Sequence, residues 1–266
     1  MMILRQYFFE RGKIMANITA KFFSNSLRRK VSFEMYIPND EPCESGAKMR
    51  TLFLLHGYTE EAHNWIPEEL AKKYNFAVVV PNGENSFWLD GLSTGHKYCT
   101  FVGDELVKFV RRTFGLAISA DETYIMGLSM GGFGALHTAL TYPENFGKTA
   151  AMSSALIVHE IAHLKSGENN GVANYDYYRE CFGELETAEE RDSNPEVLAK
   201  KLNESGRLPE IFMSCGTEDF LLENNRAFHN YLKSIDAPHV YLESKGAHDM
   251  TFWSEYTEKF VQMMFE

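Results

Sequence analysis

The chain has 266 residues, 44% hydrophobic and 24% charged; this is the balance of a folded globular protein, and one core can absorb this length, so a single domain is the simplest organisation. A formal net charge of −11 excludes nucleic acid and anionic membrane as partners, because either polyanion repels such a surface. Cys43, Cys99, Cys181 and Cys215 show no CxxC or metal-like spacing, which supports neither a zinc site nor a disulfide framework and fits a reduced, cytoplasmic setting.

The opening "MMILRQYFFERGKIMAN" carries charges at positions 5, 10, 11 and 13 and has no apolar stretch long enough for a signal-peptide core. Met15 reads as an alternative start, with the first 14 residues an upstream extension; the domain is expected over 17–266, behind an N-terminal extension over 1–16. No run approaches the roughly 18 apolar residues of a membrane span. "NITAKFFSNSLRRKVSFEMYIP" alternates in two blocks divided by Ser24-Asn25-Ser26, the pattern of an antiparallel hairpin. "TLFLLHG" and "FAVVVPNG" are short continuous apolar runs, as strands buried on both faces of a parallel sheet are. "EEAHNWIPEELAKKY" between them supplies the crossover helix that parallel strands need.

The unit then repeats. "GDELVKFVRRTFG" predicts a helix with Leu106, Phe109, Val110 and Thr113 or Phe114 on one face, and "ETYIMG" the next buried strand. "FGALHTALTYP" continues as a small-residue helix stopped by Pro143, and "FGKTAAMSSAL" gives a further strand. Residues 155–208 lack a clean period; their Gly, Asn and Glu clusters, including "GELETAEERDSNPE", predict a lid-like insertion of helix and loop. "PEIFMSCGTED", "LLENNRAFHNYLKSI", "HVYLES" and "TFWSEYTEKFVQMMF" then read as strand, helix, strand, helix. Such alternation predicts an α/β fold with a mainly parallel sheet covered on both faces.

"GLSMG", residues 127–131, sits between a buried strand and a helix, the context of a nucleophile elbow at Ser129. Gly127 and Gly131 relieve crowding at such a turn, while Gly132 and Gly134 let the helix approach the sheet. A phosphate-binding turn is the bland alternative, but GxGxxG spacing and a Walker lysine are both missing. A serine hydroxyl needs a base, and the base needs an orienting acid; in this architecture the order is serine, acid, histidine. His248 in "SKGAHDM" follows the last strand and meets that order. His56, His137, His229 and His239 read as core or solvated histidines, and His96, His159 and His163 lie near substrate loops without matching the order. For the acid, Asp219 in "CGTEDF" is preferred over Glu218, and over Asp249, whose adjacency to the histidine turns it away from the ring. The oxyanion needs two N–H donors: that of Met130, built into the elbow, and that of Tyr58 after "TLFLLHG". Asn85 and Trp88 in "NGENSFWLDG" are the expected substrate contacts, with packing of the cover loop as the other reading. Phe252 and Trp253 read as core, and the tyrosines of "ANYDYYRECFG" as pocket wall or as packing.

With "FLLHGYTE", "VVVPNGENSFW", "YIMGLSMGGFGALHTALTYPENFG", "CGTEDFLLENN" and "GAHDMTFW" in place, the chain from about residue 17 onward resembles the esterase D-like branch of the α/β-hydrolases, particularly bacterial short-chain tributyrin, acetyl and feruloyl esterases. The resemblance implies an α/β-hydrolase fold, Ser129, Asp219 and His248 as the triad, Tyr58 and Met130 as oxyanion donors, and catalysis without metal or cofactor. Met250 stands where many relatives carry Trp. The expected function is a serine carboxylesterase acting on a small-molecule ester, acylated sugars among them. A thioesterase or acyltransferase using the same triad, as in S-formylglutathione hydrolases and mycolyl transferases, is the alternative. A non-catalytic binding module is a third reading, which predicts a broken triad.

Overall fold

The computed structural model describes residues 15–38, 48–60 and 65–266. Residues 1–14, which hold nearly all of the expected extension, and Cys43 lie outside the described residues. Strands β1 (Met15–Ser24) and β2 (Arg29–Pro38) form the expected hairpin. The hairpin turn is tied down by Glu105, which accepts from the Ser24 hydroxyl at 2.6 Å and from the Asn25 amide at 2.7 Å. β3 (Arg50–Leu55), β4 (Phe76–Pro81), β5 (Thr123–Leu128), β6 (Lys148–Met152), β7 (Glu210–Gly216) and β8 (Val240–Ser244) complete an eight-stranded sheet of order β1-β2-β4-β3-β5-β6-β7-β8. From β4 to β8 every neighbour is parallel, and the β2–β4 pairing is antiparallel.

Continuous apolar strands have one physical use here: alternate side chains feed two cores. Phe53 and Leu55 point into one, Leu52 and Leu54 into the other, all fully buried. Helix α1 (Glu68–Tyr74) begins only after Pro67, shorter than the expected crossover, because proline at that position suits a helix start and not its interior. Residues 61–64 of that stretch lie outside the described residues. The next helix starts earlier than its pattern suggests. α2 (Tyr98–Thr100) runs through a π-helical turn, Phe101–Leu106, into α3 (Val107–Phe114), which Gly115 ends at φ 67°.

α4 (Met130–Thr141) is buried along almost its whole length. The insertion holds α5 (Val158–Ile161), α6 (Tyr175–Phe182) and α7 (Pro195–Ser205). Asn174 and Asn194 cap α6 and α7 by accepting from the amides of Tyr177 and Glu196. Only the first half of the insertion approaches the sheet's carboxyl edge as a lid would. α7 instead buries Leu198 and Ala199 in the larger core beside α4 and α8 (Leu222–Ser234). α9 (Met250–Phe265) closes the opposite face with Phe260, Val261 and Met264. No helix among the described residues is long and apolar enough to cross a membrane.

Candidate active site

The sheet changes direction of growth between β3 and β5, and the carboxyl ends of these strands open a crevice there. Ser129 stands at that point. It holds φ 54° and ψ −121°, a conformation that costs a non-glycine residue about 1–3 kcal/mol and survives only where the surroundings enforce it. They do so through the backbone: the Ser129 amide donates to the Met152 carbonyl at 2.9 Å, and its carbonyl accepts from Phe133 and Ala155. The turn is so tight that a Cβ on Gly127 would strike the Gly131 carbonyl, and one on Gly131 the carbonyls of Leu55 and His56.

Two further loops converge on this serine. His248, between β8 and α9, brings Nε2 to 3.0 Å from the Ser129 hydroxyl. Its Nδ1 faces the carboxylate of Asp219, beyond β7, at 2.9 Å and 3.1 Å. The Asp219 side chain is fully enclosed. Burial pushes its carboxyl up, but hydrogen bonds from His248, the Leu221 amide and the Ser153 hydroxyl outweigh that and hold it below the usual aspartate value. Glu218 points away toward Lys245, 3.8 Å off. Asp249 caps α9, accepting from the amides of Thr251 and Phe252, so the acid next to the histidine in sequence is committed elsewhere.

Two residues around the trio carried no sequence signal for it. Ser153, just past β6, is fully buried at φ 47° and accepts from Trp253 Nε1 at 3.1 Å. The Trp253 ring stands edge-on to His248, 4.8 Å between centroids. "AAMSSAL" reads only as a strand end, and a left-handed serine has no spacing pattern by which to find it. Trp253, expected in the core, belongs both to the core and to the wall behind the imidazole.

Tyr58 and Met130 line the same cavity as Ser129, and neither backbone N–H bonds to a described residue. Met130 opens α4, where first-turn amides have no helical acceptor and the helix dipole is positive. The loop carrying Tyr58 is pinned by His56, whose Nε2 accepts from the Gly83 amide at 2.9 Å while Nδ1 faces the Gly57 carbonyl at 2.8 Å. His56 is thus a buried structural histidine. Asn85 accepts from the Thr59 amide at 2.8 Å and does not line the cavity, so its contact is with the loop that carries Tyr58.

Trp88 is also displaced from its expected place at the substrate. It is fully buried between Gly83 and Gly134, where a Cβ on either glycine would hit its ring, and its Nε1 donates to the His56 carbonyl at 3.2 Å. Gly134 therefore makes room for Trp88, whereas Gly132 meets the sheet at Met152 and Ser154. The loop reaches the cavity through Phe87 instead. The cavity, about 670 Å³, has Phe87, Met130, Phe220 and, from α6, Tyr177 on its walls. Of the histidines near loops, His96 pairs with Glu180 and His159 with Glu189 and Glu196, all away from this cavity.

The chain matches the Esterase family model ("Putative esterase") over residues 24–264. It is 39% identical over 253 residues to an acetyl esterase of Caldicellulosiruptor saccharolyticus, covering 91% of this chain and 95% of that one. The fluorophosphonate-binding serine hydrolase F of Staphylococcus aureus superposes with a TM-score of 0.81 at 24% identity, over 95% of this chain and 99% of the other. A ferulic acid esterase superposes with a TM-score of 0.72 at 20% identity, over 94% and 97% of the two chains. By this match the chain belongs to the esterase family, and it is a serine carboxylic ester hydrolase with the α/β-hydrolase fold.

Proposed function

We propose that the protein hydrolyses esters of short acyl groups, acetyl foremost, with Ser129 as nucleophile, His248 as base and then acid, and Asp219 as the group that orients it. The observation that carries this reading is the unbroken relay of 2.9 Å and 3.0 Å from Asp219 through His248 to Ser129 at a cavity floor. Ser129 Oγ attacks the ester carbonyl as its proton passes to His248 Nε2; the amides of Tyr58 and Met130 receive the oxyanion. Collapse breaks the ester C–O bond, His248 protonates the leaving alcohol, and water releases the acid from the acyl-enzyme by the same steps in reverse order. The 39% identical acetyl esterase supports acetyl as the acyl group, while 670 Å³ leaves room for an aryl acid such as ferulate.

The test is a panel of nitrophenyl acetate, nitrophenyl butyrate, methyl ferulate and acetylated sugars, run beside S-formylglutathione. Turnover of the acetyl esters that disappears in Ser129→Ala, with fluorophosphonate labelling lost in parallel, supports the reading; a wild-type protein inert to every ester overturns it. Faster turnover of S-formylglutathione than of any ester selects the thioesterase alternative, which a 26% identity to a rat S-formylglutathione hydrolase over half of this chain favours. The buried free thiols of Cys99, Cys181 and Cys215 support a reducing, cytoplasmic location.

A further inference from the structure

The charged side chains on the cavity wall, apart from the imidazole of His248, are all of one sign. Glu60 comes from the loop beside Tyr58, Glu160 from α5, and Asp249 from the residue after His248; no lysine or arginine lines the cavity among the described residues. None of the three carboxylates pairs with a lysine or arginine among those residues. Glu160 accepts from Asn224 Nδ2 at 2.8 Å, and Asp249 from two backbone amides. These bonds hold Glu160 and Asp249 in place without a cation to cancel their charge. Around them stand the aromatic rings of Tyr58, Tyr177 and Phe220, whose faces attract cations. Phe220 is 71% exposed at the mouth with its ring 4.5 Å from that of His248, so an alcohol leaving from the imidazole passes beside it.

A space of 670 Å³ is roughly 11 Å across if taken as a sphere, so a bound ester sits within about one screening length, ~8 Å at physiological salt, of a wall carboxylate. At such range and an intermediate effective dielectric, one carboxylate changes the binding of a unit charge by about tenfold or more. From this geometry we propose that the site selects esters by the charge of the alcohol, taking cationic and neutral alcohols and turning away anionic ones, S-formylglutathione with its free carboxylates included. The proposal rests on ester hydrolysis at Ser129 and names the substrate class of that site. The chemistry is unchanged: water adds across the acyl C–O bond, and the alcohol keeps whatever charge it brought.

Three acetyl esters of matched size test it: acetylcholine, its neutral carbon isostere 3,3-dimethylbutyl acetate, and the anionic 3-acetoxypropionate. The expected order of kcat/KM is cation, neutral, anion, with at least about a tenfold span between the first and last at low salt and a narrower span in 0.5 M NaCl. In the double variant Glu60→Gln, Glu160→Gln, the cation-to-neutral and neutral-to-anion ratios contract toward one. Equal rates for cation and anion in the wild type, or ratios that the variant and salt both leave untouched, overturn the charge selection while hydrolysis of the neutral ester still upholds the esterase reading. Failure of the neutral ester along with the other two overturns both.

Discussion

At the scale of single residues, the site is a set of side chains each held by particular hydrogen bonds. Replacing Asp219 by Asn keeps the shape but leaves His248 in the wrong tautomer, so kcat on nitrophenyl acetate is expected to fall by about 10⁴ with the melting temperature nearly intact. Ser153 offers a finer test. Glycine tolerates φ 47° but has no hydroxyl for Asp219 or Trp253. Loss of one hydrogen bond to a charged group predicts a kcat lower by roughly ten- to a hundredfold in Ser153→Gly, with KM little changed; steady-state kinetics beside thermal unfolding separate this from simple destabilisation. A third residue tests stability and not rate. His137, inside α4, receives the Cys99 thiol at Nδ1 and faces the Asp192 carbonyl at 2.8 Å through Nε2. Burial pushes its imidazole down to about 4. The unfolded chain takes up a proton below about 6.5 and the folded one does not, so stability is full above that pH and is lost between it and about 4, by on the order of 3 kcal/mol. Urea midpoints at pH 7.5 and 4.5 should show that slope, and His137→Leu should flatten it. Asp219, whose carboxyl is depressed, adds a second loss only below about pH 4.

At the scale of elements, the elbow is the most demanding junction, since two glycines there meet carbonyl oxygens and not flexible side chains. Gly131→Ala has nowhere to put its methyl and should cost upward of about 3 kcal/mol, read as a lower urea midpoint or loss of soluble protein. That strain was legible in "GLSMG", because small residues on both sides of one hydroxyl have few other uses. Strand identity was legible for the same kind of reason: a short apolar run such as "FAVVVP" must be covered on both faces. What periodicity does not carry is local backbone choice. The π-helical turn before α3, within which Gly103 packs against the Tyr142 ring, has no periodic signature, and the late start of α1 is set by one proline. Phe87 and Trp88 show the same limit at the site. Both are aromatic, adjacent, at positive φ and in the larger core; Trp88 packs between Gly83 and Gly134, and Phe87 is the one that also meets the cavity.

At the scale of the whole molecule, chain order and sheet topology together bring residues 129, 219 and 248 to one edge; order along the sequence points to the "CGTEDF" turn, and only the packing turns Asp219, not Glu218, toward His248. The insertion resisted such reasoning because it serves two ends, α6 walling the cavity and α7 thickening a helical layer. The thiols are likewise a property of the whole packing. Burial pushes Cys99, Cys181 and Cys215 up to about 12, so iodoacetamide at pH 8 should leave all three unmodified in the native protein and alkylate them in urea, as peptide masses would record.

The carboxylates around the serine bear on how a catalytic cycle ends. Hydrolysis converts an uncharged acyl group into an anion inside a chamber whose own fixed charges are negative. The walls that admitted its parent therefore repel the newly made acid, which weakens product binding, and accumulated acetate is expected to be a poor inhibitor in steady-state assays.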